Sequence, residues 1–126
     1  MVNLFSWTDY RPQREGIETV LSPIESEIIL IMWRRKRATV RTVKILLSNK
    51  KNLKRATVNA AMKSLCERGL LSSSITKGKG GLKYIYKIKI SRRKFEKCII
   101  DKVLDSLLKS YGRTAQKIIK EKIKRR

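Results

Sequence analysis

The sequence contains no histidine, only two cysteines and only 10 acidic residues. Without histidine the chain lacks the side chain most often used in general acid–base chemistry, and a zinc site becomes hard to build. Cys66 and Cys98 form no CxxC pair and fall far apart, in stretches that read as helices. They are expected as buried free thiols in a reducing compartment, and no metal or cofactor is expected. Asp101 and Asp105 stand at i and i+4, but Lys97, Lys102 and Lys109 are within helical reach, so surface ion pairs explain them. No other acidic cluster suggests a metal-dependent nuclease, and no enzyme is expected. Long hydrophobic runs are missing too. The longest, residues 28–33, is far short of a membrane span. The N-terminus has neither a basic leader nor a long apolar stretch of the secretory kind, so a soluble, cytoplasmic protein is expected.

What the chain does have is positive charge. Its 32 Lys+Arg give a net charge of +22. The segments contribute unequally: residues 1–21 sum to −1, 22–90 to +14 and 91–126 to +9. A charge of this size on 126 residues makes a nucleic-acid polyanion the default partner. Apolar residues nevertheless recur in periodic runs, which argues for a folded chain with a modest core.

Residues 1–21 read as an N-terminal arm. Leu4, Phe5, Trp7 and Tyr10 could pack on the body or stack on nucleic acid, while Arg11-Pro12 and Gly16 break regularity. A first helix opens at Ser22-Pro23-Ile24-Glu25, where Ser22 suits the N-cap, Pro23 the first turn and Glu25 a capping box. Ile24, Ile28, Ile31 and Met32 follow at helical spacing, and Arg34, Arg35, Lys36 and Arg37 end the helix as a solvated terminus or a phosphate contact. Thr39 is expected to cap a short second helix with the stripe Val40, Val43, Leu46 and Leu47. Residues 48–52 form a polar turn. A third helix over 55–68 should bury Val58, Ala61, Met62 and Leu65, and Gly69 should end it at positive φ. A hairpin follows, with strands 71–76 and 82–90 around a tip of Lys77, Gly78, Lys79, Gly80 and Gly81. In its second strand Leu82, Tyr84, Tyr86, Ile88 and Ile90 share one face. Ser91 can cap a fourth helix over 92–110, Gly112 interrupts it, and a last helix starts near Thr114.

Three helices, a two-stranded wing and further helix is the element order of a winged helix-turn-helix, a mainly α (α+β) fold. In that architecture the third helix enters the major groove and the wing reaches the flanking backbone. The side of helix three that is not apolar offers Arg55, Ala56, Thr57, Asn59, Ala60, Lys63 and Ser64. Asn pairs bidentately with adenine, Lys donates to guanine, and Thr or Ala methyls touch thymine. Lys77, Lys79 and Lys83 are the wing's phosphate candidates, joined by Thr39, Arg41 and Lys54. The glycines of the tip sit between strands and lack GxxxxGK[ST], which rejects a nucleotide loop. The C-terminal helices carry Ile100, Val103, Leu104, Leu107, Leu108, Tyr111, Ile118 and Ile119, more apolar surface than so small a body covers. These residues are assigned to dimerisation. The organisation is then an arm (1–21), a DNA-binding domain (22–90) and a dimerisation region with a basic tail (91–126).

Several stretches resemble one family. Ser22-Pro23-Ile24-Glu25-Ser26-Glu27-Ile28-Ile29-Leu30-Ile31-Met32-Trp33 looks like the opening of the penicillinase-repressor family, and Ala38-Thr39-Val40-Arg41-Thr42-Val43 like its second helix. Residues 57–71 resemble its recognition helix and exit, Tyr84-Ile85-Tyr86 its aromatic wing strand, and 101–123 its dimerisation helices, with Gly112 at the break. The resemblance implies a homodimer that binds a palindromic double-stranded DNA operator and represses transcription. It also places Thr57, Ala60 and Ser64 at base-facing positions. Lys54-Arg55 stands where the family often has Ser-Pro, and Ala60 and Ser64 stand where some members have a hydroxyl and an Arg. No Asn-Phe bond resembling the cleavage site of the antibiotic-sensing members is present, and the cysteine-rich tail of the copper-responsive members is missing. Neither inducing signal carries over. The alternative is a non-specific architectural DNA binder, since +22 can coat DNA without reading it. A single-strand or RNA binder using the N-terminal aromatics is a further rival.

Overall fold

A computed structural model describes residues 9–47, 53–78 and 80–125. The chain divides into two units, residues 1–92 and 93–126.

The first unit begins with a 3₁₀ turn, Gly16–Thr19, and three helices: α1 (Pro23–Arg35), α2 (Val40–Leu47) and α3 (Arg55–Glu67). The capping box at the start of α1 forms as expected. The Glu25 N–H donates to Ser22 Oγ at 3.2 Å, and the Ser22 N–H donates to Glu25 Oε1 at 3.0 Å. Thr39 caps α2, its Oγ1 accepting from the Thr42 N–H at 3.2 Å. Val58, Met62 and Leu65 form the buried stripe of α3, with Ala61 half-buried beside it. Gly69 ends that helix at φ 86, and the Leu70 N–H reaches back to the Leu65 carbonyl at 2.9 Å. The polar turn expected over 48–52 lies outside the described residues.

The sheet departs from the expected two-stranded wing. Its order is β1-β3-β2, with β1 at Arg37–Ala38, β2 at Leu71–Gly78 and β3 at Gly81–Ile88, all antiparallel. The basic run therefore does not simply end α1. Lys36 takes φ 72 and turns the chain, so that Arg37 pairs with Lys87 and Ala38 with Tyr86. The wing is also longer and its turn tighter than expected, since Gly78 already faces Gly81. Its root is buried through Leu71, Tyr86 and the nearby Ile90, but the outer half of the apolar face stands in solvent, with Leu82 67% and Tyr84 55% exposed.

The core lies where α1, α2 and α3 meet the root of the wing. Ile28, Ile29, Met32, Val43, Val58, Met62, Leu65 and Leu70 are closed to solvent or nearly so. Leu46, expected on the buried stripe of α2, is exposed. Val20 and Leu21 at the end of the arm belong to this core. Arg11 fastens the preceding segment, its Nη2 donating to the carbonyls of Glu18 (3.1 Å) and Leu21 (2.7 Å). Leu4, Phe5 and Trp7 fall outside the described residues.

Glu25 does more than cap α1. Its Oε2 accepts from Ser64 Oγ at 3.2 Å and from Arg68 Nη1 at 3.2 Å, while Arg68 Nη2 donates to the Val20 carbonyl at 3.1 Å. One carboxylate thus joins the arm, α1 and the end of α3. Burial pushes the Glu25 carboxyl up. The Ser22 N–H, the Arg68 guanidinium and the two serine hydroxyls outweigh that and hold it below its ordinary value of 4.5. A carboxyl held low when folded stabilises the fold above its unfolded pKa, and that stability is lost as pH falls through the folded value. Glu25→Ala is expected to cost about 2–3 kcal/mol at pH 7, because it strands Arg68 and opens the cap. Urea titrations of both proteins should show the gap narrowing below about pH 4; a gap independent of pH would contradict this role.

The second unit consists of α4, which runs from Arg92, the last residue of the first unit, to Lys124. Gly112 breaks it at φ 50, ψ −122, a conformation open only to glycine, so it is two helical stretches. Lys97 Nζ donates to Asp101 Oδ2 at 2.6 Å, an i,i+4 pair of the expected kind. Ile100, Leu107, Leu108, Tyr111 and Ile118 are exposed, and Val103, Leu104 and Ile119 half-buried. Both cysteines are free, but they are half-buried rather than buried, because each sits at the edge of its helix's apolar stripe.

Candidate nucleic-acid interface

The expected recognition residues lie on α3, beside the wing. Spacing of four residues puts Arg55, Asn59 and Lys63 in one row. With Cys66 they line one wall of an open groove of about 690 Å³. The N-terminus of α2 supplies Thr39, Val40 and Arg41, and the wing supplies Ser73, Gly80, Gly81, Leu82, Lys83, Tyr84 and Tyr86. Four of these residues are cations, Arg41, Arg55, Lys63 and Lys83, and no carboxylate is among them. The groove is therefore a site of concentrated positive potential.

The other expected residues are placed differently. Ala56, Thr57 and Ala60 are exposed on α3 but do not line the groove. Lys54 is exposed directly before α3, where it provides no side-chain cap. Ser64 is half-buried and its hydroxyl is turned toward α1, donating to Glu25. Its geometry is that of a structural serine: Thr57, Ala60 and Ser64 share one side of α3, and at Ser64 that side meets Glu25 of α1. Lys77 is exposed on the outer wing, and Lys79 lies outside the described residues. The stem of Lys83 passes over Gly78, where a Cβ would stand 3.1 Å from its Cδ and Cε. The bare glycine gives the lysine room to lie across the hairpin end.

Sequence reasoning missed the wing's contribution to the groove. Tyr84, Tyr86 and Leu82 were legible as one face of β3, but that face reads as core. Only the length of the hairpin beyond the core turns its outer half into groove wall. Burial raises the Tyr86 phenol above its ordinary value, with Cys66 and Tyr84 adding to the shift, so it stays a neutral hydroxyl at pH 7. Burial likewise raises the Cys66 thiol, which keeps it protonated and a weak nucleophile.

Three helices closed by a β-hairpin, with the third helix forming a groove against it, define a winged helix-turn-helix protein. The profile of the penicillinase repressor family matches residues 21–125. The chain belongs to that family and is a DNA-binding transcriptional regulator. A solved structure described as a possible transcriptional regulator from Methanosarcina mazei Go1 has the same fold. It is 22% identical with TM-score 0.58, covering 77% of this chain and 78% of that one. A PadR-family transcription regulator from Clostridium difficile R20291 aligns at 20% identity and TM-score 0.48, covering 68% of this chain and 97% of its own. Adhesin competence repressor from Streptococcus pyogenes aligns at 17% and 0.41, covering 86% and 80%. No curated protein matches the chain significantly. Among the described residues no helix is long and apolar enough to cross a membrane.

Proposed function

We propose that this chain is a homodimeric repressor that reads a palindromic double-stranded operator and occludes the promoter, working in the cytoplasm on nucleoid DNA. The observation that carries this is the groove between α3 and the wing, with four cations, no carboxylate and Asn59 in the same wall. Asn59 and Lys63 have the reach and donors to read base edges, with Arg55, Ala56, Thr57 and Ala60 completing the face laid against them. Lys77 and Lys83 on the wing, with Thr39, Arg41 and Lys54, hold phosphates and fix register. The exposed apolar residues of α4 pair two chains, so that two recognition helices fall about one helical turn, roughly 34 Å, apart. In this organisation residues 22–90 read DNA and 91–126 dimerise.

Footprinting with the full chain tests the reading. The expected pattern is a two-fold symmetric footprint with half-sites about 10 base pairs apart. Uniform protection along any duplex would favour an architectural DNA binder, a reading that the net charge of +22 supports on its own.

The wing has its own signature. Replacing Lys77 and Lys83 by Gln should make the plot of log K against log salt shallower by about 2, leaving the preference for operator over scrambled duplex unchanged. A changed preference at constant slope would mean that these lysines touch bases.

A further inference from the structure

The stretch of α4 beyond Gly112 gathers four of the six cations of residues 113–125 on one side, with Lys122 and Arg125 off it. Arg113, Lys117, Lys120 and Lys124 recur at intervals of four, three and four residues, which confines them to one narrow arc of a helix. All four are exposed. Among the described residues none of the four is paired with a carboxylate. Glu121 is the lone acid of residues 113–125, and it lies off the arc. The stretch before Gly112 differs: Glu96, Asp101 and Asp105 intersperse its cations, and Lys97 is held by Asp101.

Four like charges at i,i+3 and i,i+4 spacing repel one another and destabilise a helix. Glu121, at i+4 from Lys117 and i−3 from Lys124, offsets only part of that cost, and an external polyanion would remove the rest. At 1.5 Å per residue the row spans about 16 Å, equal to about five base-pair rises along a DNA axis.

We propose that this row is a second DNA-binding surface, one that holds backbone phosphates without regard to sequence. The proposal rests on the DNA-reading function above and extends the contact beyond the groove beside α3. The residues face away from Ile118 and Ile119, so the same stretch can pair with a partner chain while presenting these four cations outward. The alternative occupant of a basic amphipathic helix is an anionic bilayer. DNA is favoured because it is already this chain's ligand and because the apolar side opposite is occupied once two chains pair.

The test is a full chain with Arg113→Gln, Lys117→Gln, Lys120→Gln and Lys124→Gln, since glutamine keeps the helix propensity and removes the charge. Anisotropy binding to operator and to scrambled duplex would be compared between about 50 and 200 mM salt. The expected result is a slope of log K against log salt shallower by about 3–4 on both duplexes. That corresponds to a salt-induced loss of affinity about a hundredfold smaller than in the parent. The operator preference and dimeric mass should not change, and the melting temperature should hold or rise, since the repulsion within the row is removed. A control with Lys102→Gln and Lys109→Gln should shift the slope by no more than about 2, the ceiling for two charges. Unchanged slope in the quadruple variant, with normal binding by the parent, would overturn the proposal and leave the DNA-reading function standing. Failure of the parent to bind either duplex would overturn both. Loss of the dimer would assign the row to assembly instead, and loss of binding to phosphatidylglycerol vesicles at unchanged DNA slope would assign it to a membrane.

Discussion

Replacing Asn59 and Lys63 together by Ala should lower affinity for the operator about 100- to 1000-fold while lowering affinity for scrambled DNA by less than about tenfold. The two side chains stand one turn apart in the wall of the groove, and both are exposed. A good bidentate base contact is worth about 1–3 kcal/mol of discrimination, and losses at two such positions roughly add. The cores are not touched, because Val58, Met62 and Leu65 bury the opposite side of α3. Only the single charge of Lys63 is lost to the phosphate field, so the salt slope should change by about 1 at most. Ser64→Ala makes the informative contrast. Its hydroxyl donates to Glu25, so this substitution should lower stability modestly and leave operator preference intact. If Ser64→Ala changed the preference and the double variant did not, α3 would be presenting a different face to DNA.

The proposed dimer carries the second large effect. Leu108→Glu with Tyr111→Glu should give a folded monomer whose operator affinity is reduced about a thousandfold. Leu108 and Tyr111 are 40% and 65% exposed, so charges there meet solvent in a single chain but would be buried in the proposed pairing of two chains. Pairing makes the second half-site an intramolecular event at millimolar effective concentration, and breaking the pair removes that gain. Sedimentation equilibrium reads the mass and anisotropy reads the affinity. A variant that stays dimeric would show that this face of α4 does not make the interface.

Local chemistry was readable before the structure. The Ser22–Glu25 capping box, the Thr39 cap, the Gly69 exit and the Gly112 break each depend on a few adjacent residues whose side chains or φ angles decide the outcome. The winged-helix fold follows from those stops and the apolar periods between them. What escaped notice depends on distant partners. A two-residue strand at Arg37–Ala38 has no period, and it exists only because β3 presents an open edge to it. The union of Glu25, Ser64 and Arg68 spans α1 and α3, so Ser64 reads as one more polar residue of an exposed face. The candidate site was legible as a row of residues on α3. Its other wall was not, because alternation shows which side chains of β3 share a face but not how far the wing extends past the core.

Sequence-specific reading is the central claim, and one affinity ratio tests it. A duplex selected from random sequence by the full chain would be compared with its scrambled version by anisotropy at about 0.2 M salt, where counterion release no longer inflates every affinity. The account predicts a palindromic consensus bound at least about a thousandfold more tightly than the scramble. No enriched sequence, with equal affinity for both duplexes, would contradict it and leave a protein that coats DNA by charge alone.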